Sequence, residues 1–541
     1  VPGYPRPRKV PSTRLSALAA VLGVPSPAAT GDVAVTGVTH ASAEVRAGDL
    51  YAALPGSRRH GGEFVEAARA AGAVAVLTDP TGAAAAAGAG LPALVVDDPR
   101  AVLGTVADLV YGQPTRELLV IGITGTAGKT STGYLLESGL RAAGIPAGLI
   151  GTVETRLGDL VIDSARTTPE ATDLHALFAT AVERGVRAVA MEVSSHALVL
   201  GRVTGVRFAV GGFTNLGTDH LDFHADVEEY FAAKARLFDG RCAVEIVNVD
   251  DPAGRRLVHP ETVTYSASGD PAAAWRAADV TGAGYAQRFT ALGPGGVAVE
   301  AGVGLPGRHN VANALLAIAS LVAVGVDPAV AAVGVAACPG VPGRLERVDA
   351  PGPVLGVVDY AHKPDAIVAV LAALRELVGG VSRAGSGVGG VSQAGSGAGG
   401  VSRAGSGAGG VSGAGSGAGR LICVLGAGGD RDRAKRPMMG AAAAQGAELV
   451  LVTDDNPRTE DPAVIRAEVM RGAAGAVEVP GRRAAIDEAV RRSRPGDVIA
   501  VLGKGHEREQ EIAGRSYPFD DRTELAEALA ARFAPAAGGV R

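Results

Sequence analysis

Cysteine is nearly absent. The 541 residues hold three, Cys242, Cys338 and Cys423, far apart and without a CxxC pair. That excludes a disulfide scaffold and a cysteine-rich zinc cluster, and it predicts a reducing compartment. No run of about 18 or more apolar residues occurs, so no membrane insertion is expected. The opening VPGYPRPRKVPSTRL lacks the apolar core of a signal peptide, which adds to the expectation of a cytoplasmic protein. Excess basic charge is missing too. The formal net charge is −5, which leaves no nucleic-acid footprint. Lysine is the most informative scarcity. Of 51 basic residues six are lysine: Lys9, Lys129, Lys234, Lys363, Lys435 and Lys504. Where arginine serves for a generic positive charge, a remaining lysine hints at a place that a guanidinium does not suit.

What is present is a hydrophobic content of 47 %, ample for several cores. The length suits about three or four domains. The apolar segments read as strands alternating with helices, an α/β pattern. A first unit has a helix and loop in 12–30, strand, loop and strand in 33–56, helix then strand in 64–79, and a strand at 93–98, ending near Pro114. A second begins with a strand at 118, continues through strands in 186–193, 208–216 and 243–250, and has a long helix at 309–325. A third starts near 346, with strands in 354–362, 421–429, 448–455 and 497–505 and a helix at 365–378. Each strand ends in polar or glycine-rich residues, and open parallel sheets bind ligands at the carboxyl ends of their strands. Residues 379–418 are four copies of a unit GGVSxAGSGx. So few large apolar groups do not offset the ordering entropy of so many glycines, which predicts a flexible, dispensable insert in the third domain.

The stretch ELLVIGITGTAGKTST, residues 117–132, carries the sharpest chemical signal. An apolar strand runs into a glycine turn, and Lys129, Thr130 and Ser131 open a helix. A helix start has unpaired N–H groups and a positive dipole end, and so favours an anion. Lys129 adds a point charge and Thr130 a hydroxyl for magnesium. The strict G-x-x-x-x-G-K-[ST] pattern wants glycine where Ile123 stands, but G-T-x-G-K-T is intact from 125 to 130. A plain strand-to-helix turn is the alternative.

AVAMEVSSHAL ends a strand at Glu192, and TNLGTDHLDFH places Asp219, His220, Asp222 and His224 after another. Glu192 and His220 suit ions on nucleotide phosphates. His220 and His224 have the four-residue spacing of a helical zinc site, but the HExxH glutamate is missing. A satisfied structural histidine is the alternative for His224. In EEYFAAKARLF, Lys234 shares a helix face with Tyr230, Phe231, Leu237 and Phe238. Such a lysine snorkels to the edge, is modified, or pairs with an anion at a dry site. DYAHKPDAI, GAGGDRDRAKRP, TDDNPRTEDP and GKGHEREQEI are further charged turns in the third unit.

Taken together, GTAGKTST, TTPEATD, MEVSSHAL, TNLGTDHLDFH, YFAAKARLF, PGRHNVANALLA, PGRLERV, DYAHKPDA, GAGGDRDRAKRP, DDNPRTEDP and GKGHE resemble the Mur ligase family, in order along the chain. More narrowly, they resemble the branch that adds diaminopimelate. It implies three domains: an N-terminal uridine-nucleotide domain (1–116), a central P-loop-type ATPase domain with a mostly parallel sheet (117–345), and a C-terminal Rossmann-like amino-acid domain (346–541). It implies an ATP-dependent amide ligase of cytoplasmic peptidoglycan precursor synthesis that works through an acyl phosphate. Its partners would be ATP, magnesium, UDP-N-acetylmuramoyl-L-alanyl-D-glutamate and diaminopimelate, and a monomer is expected. The same ligase using L-lysine, a folylpolyglutamate-synthase-like ligase and a non-enzymatic nucleotide-dependent regulator are the alternatives.

The resemblance also implies residue roles. Thr124, Gly125, Thr126, Ala127, Gly128, Lys129, Thr130 and Ser131 would cradle ATP, with Asn310, Arg344, Asp359 and His362 as further nucleotide contacts. Lys129, Lys234, Glu192 and His220 would be catalytic. Thr130, Glu192, His220 and Lys234 would hold magnesium, Lys234 as an N6-carboxylysine formed with CO2. Ser42, Ser57, Arg58 and Arg59 would meet the uridine nucleotide, and Thr167, Thr168, Ser194 and Arg202 the muramoyl-dipeptide. Arg431, Asp455, Asn456, Pro457, Arg458, Gly503 and Glu507 would bind diaminopimelate, with Arg458 a planar fork for its distal carboxylate. The chain departs from the family pattern at Ala127, where asparagine is usual, at His40-Ala41-Ser42-Ala43, and at Leu200.

Overall fold

The computed structural model describes residues 3–27, 32–378 and 419–534. The expected insert at 379–418 lies outside the described residues. The chain divides into two compact units, Val1–Pro342 and Gly343–Arg541. The boundary expected at 116/117 lies inside the first unit, between the 3-10 turn Pro114–Arg116 and the strand Leu119–Thr124.

The first unit holds two main sheets. One has four parallel strands in the order Gly37–Thr39, Asp49–Ala53, Ala75–Thr78 and Ala93–Val95. The other has eleven. Its parallel core runs Ala147–Ile150, Ala188–Glu192, Leu119–Thr124, Phe208–Phe213, Cys242–Asn248, Val263–Ser266 and Trp275–Ala283. Leu119–Thr124 is flanked on both edges and buried from Val120 onward, which is why it reads as an unbroken apolar run. The helix Arg308–Ala323 is buried over most of its length. It sits close to the sheet at Gly212, where a Cβ would lie 2.6 Å from Ile123 Cδ1 and 3.2 Å from Leu316.

Antiparallel strands extend this sheet at both edges: Glu154–Leu157 and Leu160–Asp163 on one, Ala286–Gly293 and Val297–Val303 on the other. The sequence singles out none of these. The second unit is a six-stranded sheet, parallel apart from its edge strand Glu346–Val348, in the order Glu346–Val348, Leu355–Asp359, Val498–Leu502, Leu421–Ala427, Leu449–Asp454 and Val477–Glu478. A hairpin, Glu509–Ile512 with Arg515–Pro518, follows the GKGHE turn.

Element ends differ from the sequence expectation in one direction. The helix expected in 12–30 is Leu15–Leu22, that at 365–378 is Pro364–Arg375, and the strand at 208–216 stops at Phe213. The first of these helices stops at Gly23, a left-handed cap at φ +67°. No helix among the described residues is long and apolar enough to cross a membrane.

Candidate functional site

The strand Leu119–Thr124 delivers the chain to a loop, 125–128, and the helix Lys129–Ala142 starts immediately after it. Gly128 has φ +87°, and a Cβ there would run into Asn313 Oδ1, so this position needs glycine. Lys129 folds back and donates to the carbonyls of Gly125 at 2.8 Å and Thr126 at 3.1 Å. Two other N–H groups of the loop are already taken. Thr126 N–H donates to Asn215 O at 2.8 Å, and Ala127 N–H to Asn215 Oδ1 at 2.9 Å. Asn215 Nδ2 returns a bond to Ala127 O at 3.2 Å, and Thr214 Oγ1 adds another at 2.6 Å. An anion at this turn therefore faces the N–H groups of the helix start and the Lys129 ammonium. Thr130 and Ser131 are buried there. Asn310 is buried in the helix Arg308–Ala323 and accepts from Asn313 Nδ2 at 3.1 Å, which links it to the loop through Asn313.

Lys234 does not snorkel. It is 1 % exposed on the helix Val227–Ala235, donates to Gly125 O at 2.8 Å and lies 4.3 Å from the centre of the Tyr230 ring. Tyr230 in turn touches Thr126 Oγ1 at 3.2 Å. The helix ends at Ala235, so Leu237 and Phe238 fall in the 3-10 turn Arg236–Phe238 rather than on the same helical face. Glu192 closes its strand with a buried carboxylate that accepts from Thr152 N at 2.7 Å and Thr152 Oγ1 at 3.0 Å. Thr152 Oγ1 also meets Thr167 Oγ1 at 3.0 Å, and Thr168 Oγ1 donates to Glu192 O at 2.9 Å. Ser194 N–H donates to Thr168 Oγ1 at 3.1 Å, and Arg202 pairs with Glu170 at 2.7 Å. Glu192, Thr167, Thr168 and Ser194 thus form one connected group.

His220 and His224 do not lie on a helix. The segment 218–226 is turns, His220 has φ +54°, and the helix starts only after Asp226, which caps it. His220 pairs with Asp219 at 3.0 Å, while His224 is buried with Nε2 3.0 Å from Ser195 Oγ. No cluster of three or more metal-ligating side chains occurs among the described residues.

Ser42 opens the 3-10 turn Ser42–Glu44 after the strand Gly37–Thr39, and Ser57, Arg58 and Arg59 are exposed after the neighbouring parallel strand Asp49–Ala53. The two turns therefore leave the same edge of the sheet. Arg59 pairs with Glu63 at 2.7 Å and lies over the Phe64 ring. His40, in the departing motif, meets Thr172 Oγ1 at 3.2 Å.

In the second unit, Asp359 is buried and accepts from Leu345 N at 2.6 Å and Ala361 N at 2.7 Å, and burial pushes its carboxyl up. Arg344 lies over the Tyr360 ring, and His362 Nδ1 is 2.8 Å from Tyr360 O. Two strand-end loops face each other across the sheet. Asn456 Nδ2 donates to Glu507 Oε2 at 2.8 Å. Gly503, at φ +118°, leaves no room for a Cβ beside Asp455 Oδ2. Arg458 has φ +53°, donates to Gly429 O at 2.7 Å and lies 3.4 Å from Glu511. Asp461, nearby in sequence, caps the helix Pro462–Met470 instead. Pro457 holds the turn, its carbonyl accepting from Glu460 N at 3.0 Å, and Arg431 is exposed.

Sequence reasoning missed Asn215, Asn313 and three buried cations, Arg436, Arg482 and Lys504. For Lys504 the scarcity of lysine was an available signal.

Three family models match the chain in order: "Mur ligase family, catalytic domain" at 34–111, "Mur ligase middle domain" at 123–321 and "Mur ligase, glutamate ligase domain" at 410–505. The UDP-N-acetylmuramoyl-L-alanyl-D-glutamate–2,6-diaminopimelate ligase of Streptomyces coelicolor is 53 % identical over 98 % of each chain. The protein of the same name from Streptomyces avermitilis is 52 % identical over the same shares. A solved structure of a ligase so named covers 96 % of this chain and 99 % of its own, with a TM-score of 0.64 and 28 % identity. A full-length likeness at this identity, joined to a strand–loop–helix anion cradle with its paired lysines, leaves one conclusion: the chain belongs to the Mur ligase family.

Proposed function

We propose that the chain joins diaminopimelate to UDP-N-acetylmuramoyl-L-alanyl-D-glutamate with conversion of ATP to ADP and phosphate, in peptidoglycan precursor synthesis. The observation that carries this reading is the full-length identity to ligases of that name, together with Lys129 and Lys234 converging on the loop carbonyl of Gly125. The three-domain division at 116/117 and 345/346, a cytoplasmic location and a monomeric state belong to the same proposal.

The chemistry follows from the carboxylate. Its leaving group would be oxide, so it does not react with an amine at neutral pH. A carboxylate oxygen attacks the γ-phosphorus and ADP leaves, giving an acyl phosphate. The amine nitrogen then attacks the acyl carbon, phosphate leaves and the amine loses a proton. Lys129 and the N–H groups of the helix start offset charge on the transferring phosphoryl group, mainly through position and electrostatics. Thr167, Thr168, Ser194 and Arg202 hold the muramoyl-dipeptide near Glu192, and Ser42 and residues 57–59 hold the uridine nucleotide. Asn456, Arg458 and Glu507, with Arg431, receive the amino acid.

Magnesium fits the residues present on one condition. Thr130 offers a hydroxyl and Glu192 a buried carboxylate bonded to neutral donors, which are hard oxygen ligands. Lys234 as an amine would repel the ion, and as a carbamate would join Thr130, Glu192 and His220 in holding it. Bound there, magnesium would neutralise phosphate charge.

The test is ADP release in the presence of ATP, the UDP-muramoyl-dipeptide and a panel of amino acids. Release should require both other substrates and should favour diaminopimelate. Equal turnover with L-lysine would overturn the amino-acid assignment.

A further inference from the structure

Lys504 is fully buried although it lies in a loop. Its ammonium donates to Asn456 Oδ1 at 3.0 Å, Glu507 Oε2 at 3.2 Å and the Glu509 carbonyl at 2.5 Å. An ammonium has three N–H donors and no acceptor, so these bonds use all of them. The acceptors come from two strand-end segments, the second running into the hairpin strand Glu509–Ile512. Asn456 follows the strand Leu449–Asp454, and Glu507 and Glu509 follow the strand Val498–Leu502. Lys504 is therefore a clamp between loops that the sequence separates by 48 residues.

The clamp has a polarity. Asn456 Oδ1 accepts from Lys504 and also from Glu511 N–H at 3.0 Å. A flipped amide would set its NH2 against two donors. The NH2 is thereby turned to Glu507 Oε2, at 2.8 Å. Glu507 Oε2 receives both Asn456 and Lys504, while the side chain keeps 31 % exposure. One carboxylate oxygen is committed to the fold and the group still faces outward.

A second buried cation does a different job below the loops. Arg482 donates to the carbonyls of Asp454 at 3.2 Å and Leu502 at 3.0 Å, the residues that precede each loop, and pairs with Asp521. Among the described residues it makes no hydrogen bond to Asn456 or Glu507. Arg482 thus joins the bases of the loops, and Lys504 joins their working side chains.

We propose that Lys504 is a positioning residue of the amino-acid site. It fixes the amide of Asn456 and the carboxylate of Glu507 in the one orientation that meets the distal ammonium and carboxylate of the incoming amino acid. This rests on the reading that these loops receive the amino acid.

The test uses the full-length enzyme with Lys504→Met, a side chain of similar length without charge or donor. ADP release is followed while each of the three substrates is varied in turn, and thermal melting is recorded beside it. The KM for diaminopimelate should rise about tenfold or more, since each tenfold is one lost charge-assisted bond. The KM values for ATP and the UDP-muramoyl-dipeptide should stay within about twofold, and kcat within about threefold, as for a lost ground-state contact. Glu507→Gln should raise the same KM, and adding it to Lys504→Met should raise it less than it does alone, because Lys504 acts through Glu507. An unchanged KM for diaminopimelate in Lys504→Met overturns the proposal. So does an equal rise in all three KM values with a fall in melting temperature, which would mark a scaffold role. If the wild-type enzyme rejects diaminopimelate but turns over another amino acid, the substrate assignment fails, and the same comparison with that amino acid still decides the role of Lys504.

Discussion

Two ammonium groups bond one carbonyl oxygen, that of Gly125, each at 2.8 Å. Like charges this close repel, and the burial of Lys234 removes water that would screen it. The face of the Tyr230 ring offsets part of that repulsion for Lys234. Loss of a proton from the Lys234 ammonium and addition of CO2 to the resulting amine form a C–N bond, release two protons in all and put an anion where the second cation stood. The arrangement is then one cation and one anion at the loop. Lys234→Ala is expected to lose most of the turnover, and added formate to restore part of it. Lys234→Arg should be as inactive and should not respond to formate, because a guanidinium takes up no CO2 and fills the site. Turnover with and without formate checks all three, and full activity in Lys234→Ala would remove the carbamate from the mechanism.

Elements in the second unit are held by ion pairs at the carboxyl ends of its strands. Arg482 and Asp521 are each fully buried at 2.6 Å, joining the start of the helix Arg482–Arg492 to that of the helix Asp521–Phe533. Removing one partner of such a pair leaves an uncompensated buried charge, at about 3–5 kcal/mol, whereas replacing both with apolar groups is often near neutral. Arg482→Met should therefore lower the unfolding free energy of the second unit by that amount, read as the shift of its urea midpoint times the slope. Arg482→Met with Asp521→Leu should recover only part, because the carbonyls of Asp454 and Leu502 still lose the Arg482 donor. Strands such as Leu421–Ala427 and Val498–Leu502 were legible because both of their faces are buried, so they read as apolar runs. Trp275–Ala283 and Ala286–Gly293 were not, since polar and small residues break their pattern. The start of the helix at Val227 was legible but unread: Asp226 accepts from Glu229 N at 2.8 Å, and the Glu229 carboxylate accepts from Ala225 N–H at 2.5 Å. The site splits in the same way. Loop residues beside their strand or helix could be picked out from local motifs. The partners that set the loops, Asn215 for Ala127 and Lys504 for Asn456, lie 88 and 48 residues away, and sequence spacing carries no register between strand ends.

Across the whole molecule, each unit carries a histidine that folding holds neutral. In the first, burial and the neighbouring His220 and His224 push His196 down to about 4, and burial alone does the same to His309. In the second, burial followed by Arg344, Arg522, Lys504 and Arg508 pushes His506 down to about 3. An unfolded histidine takes up its proton near its ordinary value of about 6.5. Between that value and the folded ones, the unfolded chain binds more protons than the folded chain. Stability therefore rises with pH through this window and falls on acidification. Carboxylates act later. Arginine partners hold Glu460 and Glu488 down to about 2, so their contribution is lost only from the ordinary carboxylate range downward. Acid should thus weaken the protein in two stages, histidines first. Both units should lose thermal stability between about pH 6.5 and pH 4.5, measured as melting midpoints and as amide exchange in peptides from each unit. His196→Asn should reduce that slope for peptides of 3–342, where the other buried histidines keep the rest of it, and leave those of 343–534 unchanged, and His506→Asn should reduce it for 343–534 alone. A slope that His196→Asn and His506→Asn both leave unchanged would show that neither histidine is held neutral by the fold.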